Sequence, residues 1–311
     1  MRRFRLTPRS AVEAIALSPD GRTFAVAQVH CGVTVRDIAD GRELGRCPVQ
    51  SRGCGTRLEY APDGRHLAAG HGRGLDVIEV PGGRLVGRVG PAGASDFRFL
   101  TGRPELMAAC EGGYELIRYA PRTAFARDFE PVVTRLTPLG SRHVLAICPD
   151  TNWVLATDLA YPWELAVYAF GPPRRIATYR AAEPIPPKHD TFRVASTPSR
   201  FVIADRSAVR VFEWPAGDPG PEVSLALVSK FAPTKPQPDP LIPPFALTPC
   251  GNYILIRGEK SRVELRAAAT GDVLTVWKWG LPRTLAVAVS SDGLLAAAAG
   301  TQGRVVVWDL G

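Results

Sequence analysis

Short apolar runs separated by turn dipeptides recur along the whole chain. Residues Leu285 to Gly311 read LAVAVSSDGLLAAAAGTQGRVVVWDLG: an apolar run, an Asp-Gly turn, a second apolar run, a Gln-Gly turn, and an alternating segment closed by Trp308-Asp309. Runs this short, bounded by turn residues, predict strands of an antiparallel meander rather than helices. The same phrase stands near the start, in AIALSPDGRTFAVAQVHCGVTVRDIADG at residues 14 to 41.

The turn after the first strand of each unit supplies an anchor that can be followed through the chain. It appears as Pro19-Asp20-Gly21, Pro62-Asp63-Gly64, Thr101-Gly102, Pro149-Asp150, Pro198-Ser199, Pro249-Cys250-Gly251 and Ser291-Asp292-Gly293. Steps between positions 20, 63, 102, 150, 199, 250 and 292 are 43, 39, 48, 49, 51 and 42 residues. A period of roughly 40–45 residues carrying four short strands is that of a propeller blade, whereas helical arrays repeat at roughly 33–34 residues. Seven anchors predict seven blades in a single domain spanning residues 1–311. The first strands of the units are AIALS, LEYA, DFRFL, HVLAIC, FRVAS, FALT and LAVAVS.

The two ends complete the count. The last unit stops at Gly311 after its third strand, while Arg2-Arg3-Phe4-Arg5-Leu6 precedes the first unit's inner strand. Phe4 and Leu6 alternate with arginines, as a strand with one packed face does. Residues 2–6 are therefore expected to form the outer strand of the last blade and to close the ring.

On these residues the chain resembles the WD-repeat β-propellers. Trp308-Asp309 after Val305-Val306-Val307, and Arg36-Asp37 after Val33-Thr34-Val35, stand where that family carries its name-giving dipeptide. The corresponding pairs elsewhere are degenerate: Glu79-Val80, Arg118-Tyr119, Tyr168-Ala169, Glu213-Trp214 and Arg266-Ala267. The family's Gly-His before the inner strand is absent, and Gln302 stands at a turn where an Asp is expected. The family's buried polar tetrad is accordingly not expected, and apolar packing must hold the blades. The resemblance implies an all-β, seven-bladed fold of four-stranded blades and a non-catalytic role in protein–protein interaction.

Composition narrows the partners. A hydrophobic content of 45% over 311 residues suffices for a sizeable core, and no apolar run reaches the roughly 18 residues of a membrane helix. No secretory signal is read at the N-terminus, and Cys31, Cys47, Cys54, Cys110, Cys148 and Cys250 show no paired spacing, which points to a reduced, cytoplasmic protein; a monomer is expected. The formal charge of +8 comes from 38 basic residues of which only Lys188, Lys230, Lys235, Lys260 and Lys278 are lysines. These arginines are scattered through the repeats rather than gathered in a patch, which argues against nucleic acid as the partner.

Few groups point to chemistry. His30, Cys31, Cys47, Cys54, His66 and His71 lack the two-residue ligand spacing of a structural zinc site, so no metal is expected. Gly70-His71-Gly72-Arg73-Gly74 joins two strands without a following helix, so it reads as a hairpin and not a phosphate loop. No Gly-x-Ser-x-Gly elbow occurs, and the histidines show no acidic orienter in the sequence. Among the inner strands, Glu59, Asp96, Arg98, His143 and Arg193 are the polar exceptions that a central channel would expose. An enzyme or small-ligand binder working there, without a bound cofactor, is the alternative to a scaffold; a basic nucleic-acid-associated propeller is a third. Trp277 and Trp279 alternate about Lys278 and are expected to pack on the last blade, and Trp214 and Trp308 are read as core.

Long connections carry the binding expectation. Glu130 to Arg142, Ala181 to Asp190 and Lys230 to Pro244 are read as insertions before blades 4, 5 and 6, the last with six prolines from Pro233 to Pro244. VVTRLT at 132–137 could itself be a strand, but HVLAIC is preferred as the inner strand of blade 4 because its turn then aligns with the other anchors. In a meander, the loop after the second strand and the connection between blades leave on one face. Tyr161 and Trp163, Pro186, Lys188 and His189, and Lys235 and Asp239 are thus candidate partner-binding residues for a protein or peptide.

Overall fold

The computed structural model describes residues 1–48, 57–71, 74–89, 96–100, 105–110, 113–118, 132–136, 142–148, 153–158, 164–169, 174–180, 192–205, 208–215, 223–232 and 243–310. Each apolar run of the sequence becomes a strand, and the strands assemble into seven antiparallel meanders. Strand β1 is Arg2–Arg5. Blade 1 contains β2 (Val12–Leu17), β3 (Thr23–Gln28), β4 (Gly32–Asp37) and β5 (Glu43–Cys47). Blade 2 contains β6 (Arg57–Tyr60), β7 (His66–His71), β8 (Gly74–Glu79) and β9 (Arg84–Val89). In blade 3 the strands are β10 (Asp96–Phe99), β11 (Glu105–Cys110), β12 (Gly113–Arg118) and β13 (Val132–Leu136). Blade 4 has β14 (Arg142–Ile147), β15 (Trp153–Asp158), β16 (Glu164–Ala169) and β17 (Arg174–Arg180). Blade 5 has β18 (Phe192–Ser196), β19 (Arg200–Asp205), β20 (Val209–Glu213) and, after β21 (Val223–Ser224), β22 (Leu227–Phe231). Blade 6 comprises β23 (Phe245–Leu247), β24 (Tyr253–Arg257), β25 (Val263–Ala267) and β26 (Val273–Trp277). Blade 7 comprises β27 (Thr284–Val289), β28 (Leu295–Gly300) and β29 (Arg304–Asp309).

β1 pairs antiparallel with β29, Arg2 opposite Val307 and Arg5 opposite Arg304, so the N-terminal strand is the outer strand of blade 7. Phe4 stacks on Phe24 of blade 1 at 5.1 Å, and Leu6 is 1% exposed. The core lies between blades. Seven apolar clusters occur among the described residues, each spanning two consecutive blades, and one of them joins blade 7 to blade 1. The small and β-branched residues of the runs are what allow sheets to pack face to face in this way.

The anchor turns owe their recurrence to a side-chain clamp. In blade 7 the Ser290 hydroxyl accepts the Leu295 amide at 2.9 Å and approaches Asp292 Oδ1 at 2.5 Å, while that oxygen accepts the Leu294 amide at 2.9 Å. Blade 1 repeats the arrangement with Ser18, Thr23, Asp20 and Arg22. Hydrogen bonds from Ser290 and from the Leu294 amide hold the Asp292 carboxyl below its ordinary value. Gly21 and Gly293 follow at φ +67° and +76°, a conformation that a glycine reaches without a Cβ clash. The hydroxyl clamp persists in blades 5 and 6 as Thr197 and Thr248, where the aspartate is lost.

One of the three long insertions is placed differently from the sequence reading. Val132–Leu136 is not part of a connection before blade 4; it is the outer strand of blade 3, with Val132 opposite Arg118 and Leu136 opposite Tyr114. The extra length thus falls between the third and fourth strands of blade 3. HVLAI does form the inner strand of blade 4, as preferred. In blade 5, the connection from the third to the fourth strand contains β21, which leaves its own blade and pairs in parallel with β17.

Candidate functional site

Strand direction alternates within every blade, so the second-to-third loops and the inter-blade connections leave from one face. In blade 4, Glu164 at the start of β16 lies opposite Arg180 at the end of β17. The mouth of the 159–163 loop is tied by the Thr157 hydroxyl, which donates to the Glu164 carbonyl at 2.9 Å. In blade 5, β18 begins with Phe192 opposite Asp205, and β22 ends with Phe231 opposite Val209, all at the same end of the sheet. In blade 6, β23 begins at that end with Phe245 opposite Ile256. The strand ends flanking 159–163, 181–191 and 233–242 therefore belong to one face of three successive blades. The candidate residues themselves, Tyr161, Trp163, Pro186, Lys188, His189, Lys235 and Asp239, lie outside the described residues. The connection between β12 and β13 leaves from the opposite face, so it drops out of the predicted group.

The reading that the histidines lack an acidic orienter needs correction for two of them. His66 Nδ1 lies 3.1 Å from Asp63, and His71 Nε2 lies 3.1 Å from Asp76. Asp76 is fully buried on β8 and takes two bonds from Arg88 across the ladder, at 2.7 and 3.0 Å. A buried carboxylate needs such partners, because an unpaired charge there would be far too costly. Asp205 and Arg210 form a second buried pair in blade 5, where Asp205 also accepts the Ala208 amide at 2.8 Å. Apolar clusters hold the blades as expected, but buried carboxylates paired with arginines also brace blades 2 and 5. β7 and β8 pair antiparallel with His71 opposite Gly74, in keeping with the hairpin reading.

The channel residues assemble only in part. Glu59 of blade 2 meets Arg98 of blade 3 at 2.7 Å through Oε2, with Arg57 at 3.4 Å, and its Oε1 accepts the Phe99 amide at 3.0 Å. Arg98 continues across to blade 5, donating through Nε to the Ser196 hydroxyl at 3.2 Å, and Ser196 donates to the Ile147 carbonyl of blade 4 at 2.8 Å. Arg57 lies over the Phe97 ring, 5.4 Å from its centroid. Burial pushes the Glu59 carboxyl up, to about 7, against the pull of Arg57 and the Phe99 amide. Both oxygens are engaged in holding neighbours, so the group ties blades 2, 3, 4 and 5 together along the inner strands. The side chains of Asp96, His143 and Arg193 are outside the described residues.

The tryptophans pack as expected. Trp277 and Trp279 stand parallel at 6.4 Å and both lean on Trp308, at 5.3 and 5.4 Å. Trp308 and Trp214 are 3% and 6% exposed. Among the described residues, Cys31, Cys47, Cys148 and Cys250 are not joined in disulfides, no group of three or more His, Cys, Asp or Glu side chains could hold a metal ion, and no helix is long and apolar enough to cross a membrane.

Sequence reasoning missed one surface, the outer strand of blade 6. Val273, Leu274 and Val276 on β26 are 46%, 50% and 42% exposed, and Tyr253 on β24 is 41% exposed. An apolar strand reads the same whether its edge is covered or bare, so no sequence signal marks it.

No protein-family model matches the chain, and no curated protein matches it. Among solved structures, the β-propeller domain of Cps50 (Swd1) from Myceliophteria thermophila is similar with a TM-score of 0.74 at 16% identity, over 100% of this chain and 99% of that one. At this identity the likeness shows the fold alone. The chain is a seven-bladed β-propeller, and its resemblance to the WD-repeat propellers stands at the level of fold.

Proposed function

We propose that the protein is a non-catalytic interaction scaffold that binds a protein or peptide segment on the face carrying 159–163, 181–191 and 233–242. The observation that supports this is the common face of the strand ends flanking those three segments, on successive blades. Tyr161 and Trp163 supply apolar anchors of the kind that dominate interfaces, and the prolines around Pro186 and from Pro233 to Pro244 limit the entropy lost on binding. Lys188, His189, Lys235 and Asp239 are the polar candidates of those segments. A monomer working in the cytoplasm is part of the proposal.

The test is capture of the main partner from native lysate by the wild type, by Trp163→Ala and by a Gly-Ser replacement of 233–240. Both variants should lose the partner while melting within a degree or two of the wild type, since neither removes a blade strand. Undiminished capture by both would refute the patch, and unfolding would show that the loops are structural.

A further inference from the structure

Each blade of this propeller has an outer strand, and on four of them, among the described residues, a contact from the next blade partly covers it. The turn between the third and fourth strands of blade 1 sits on the outer strand of blade 7: a Cβ on Gly41 would stand 2.5 Å from the Phe4 ring. The matching turn of blade 2 sits on β5, where a Cβ on Gly83 would stand 2.5 Å from the Arg46 amide. Blade 6 covers β22 in the same way, through Gly271 against Phe231 and a bond from the Ser229 hydroxyl to the Ala268 carbonyl. Blade 5 goes further and lays a strand, β21, along β17, with the Leu225 amide donating to the Thr178 carbonyl at 2.7 Å.

Among the described residues, β26 meets Trp308 through Trp277 but receives no such turn or strand from blade 7. The third and outer strands of blade 7, β29 and β1, are the last and first strands in sequence and are joined by no turn. The consequence is visible at one repeated position. In blades 1, 2, 4, 5 and 6, the ladder between third and fourth strands carries one extra residue on the fourth strand: Leu44, Val86, Ile176, Val228 and Leu274. Ile176, in one cluster with Leu225, is 0% exposed; Leu274 is 50% exposed. Its neighbours on the bare strand, Val273, Thr275 and Val276, carry no charge of the kind that usually protects an edge.

We propose that β26 is a strand-addition site for an extended segment of a partner protein, bound as β21 is bound to β17. The occupant is an aliphatic strand with small polar spacing, of the Val-Ser-Leu type, running parallel to β26 and placing one aliphatic side chain over Leu274. Backbone bonds to a sheet edge supply the attachment in this mode, and alternate side chains the specificity. The site is independent of the loop face proposed above.

The probe is a capped peptide carrying residues 221 to 227 of this chain, which include β21 and Leu225, added to the full-length protein. Fluorescence anisotropy reads binding, and hydrogen exchange reads its location. The expected result is saturable binding that slows exchange of the β26 amides, weakened at least tenfold by Leu274→Glu and by Val276→Lys, with the melting temperature of both variants unchanged. Protection at β17 instead would mean that the peptide merely replaces β21, and would overturn the proposal. So would binding that both variants leave intact, or no binding at all. A concentration-dependent dimer that Leu274→Glu abolishes, with no peptide effect, would assign the edge to a second copy of the chain and equally overturn it.

Discussion

Blades 4 and 6 share a strand plan and differ in what lies outside it. On blade 4, β21 runs along β17, Leu225 is 5% exposed, and Ile176 is buried with it in one cluster that also contains Phe201, Phe212 and Trp214. On blade 6, β26 holds the same place in its sheet, yet three of its five residues are large exposed hydrophobics. Composition separates the two only in part: RRIATYR carries three arginines and VLTVW no charge, yet both contain β-branched residues. Topology separates them. Cover comes from the following blade, and the blade after the sixth completes itself with the N-terminal strand, which leaves no third-to-fourth turn to reach back. Closing a ring with a strand from the other end of the sequence thus protects one seam and bares the edge of the blade before it.

The largest expected effect concerns that closure. Deleting residues 1–9 removes the β1 ladder, the Phe4 stack on Phe24 and the buried Leu6, and should cost about 5 kcal/mol or more, since buried Leu and Phe truncations alone cost roughly 2–5 kcal/mol each. Denaturant unfolding measures it. A truncated protein that melts within a degree or two of the full chain would mean that β1 contributes little, and the contrast between covered and bare edges would lose its cause.

Next in size is the direct comparison at the equivalent position. Ile176→Ala should destabilise by about 2–5 kcal/mol, as a buried large-to-small change does. Leu274→Ala should cost at most about 1 kcal/mol, because half of its surface is already in water. Equal losses in the two variants would show that Leu274 is packed in solution and that β26 is not bare.

How far this contrast could be read in the sequence depends on where its signals lie. The seven inner strands and their turns were legible, because Ser18-Pro19-Asp20-Gly21 and Ser290-Ser291-Asp292-Gly293 encode a hydroxyl-carboxylate clamp within four residues, and local chemistry leaves local traces. The closing strand was legible too, from Phe4 and Leu6 alternating with arginines. Val132–Leu136 was misplaced because a strand that follows a long connection carries no mark of which blade it joins. β21 escaped notice for a similar reason: two paired residues in a proline- and glycine-containing stretch give no periodicity. His71 with Asp76 and Glu59 with Arg98 were not legible as pairs, since five residues separate the first two and a blade boundary the second. The seven candidate loop residues remain readings of the sequence.

The smallest expected effect is also the sharpest on the edge itself. Leu274→Lys places a charge on a half-exposed position where no buried partner is lost, so the change in stability should stay within about 0.5 kcal/mol. An edge lysine is a common natural device against unwanted strand pairing. If β26 is bare, the variant should therefore resist aggregation on prolonged incubation at high protein concentration better than the wild type, as light scattering would record, while the two melt together. A clear loss of stability would instead show that Leu274 rests against something apolar. No difference in aggregation would mean that the exposed strand is already protected by its bulge and twist, and that bareness alone does not make an edge adhesive.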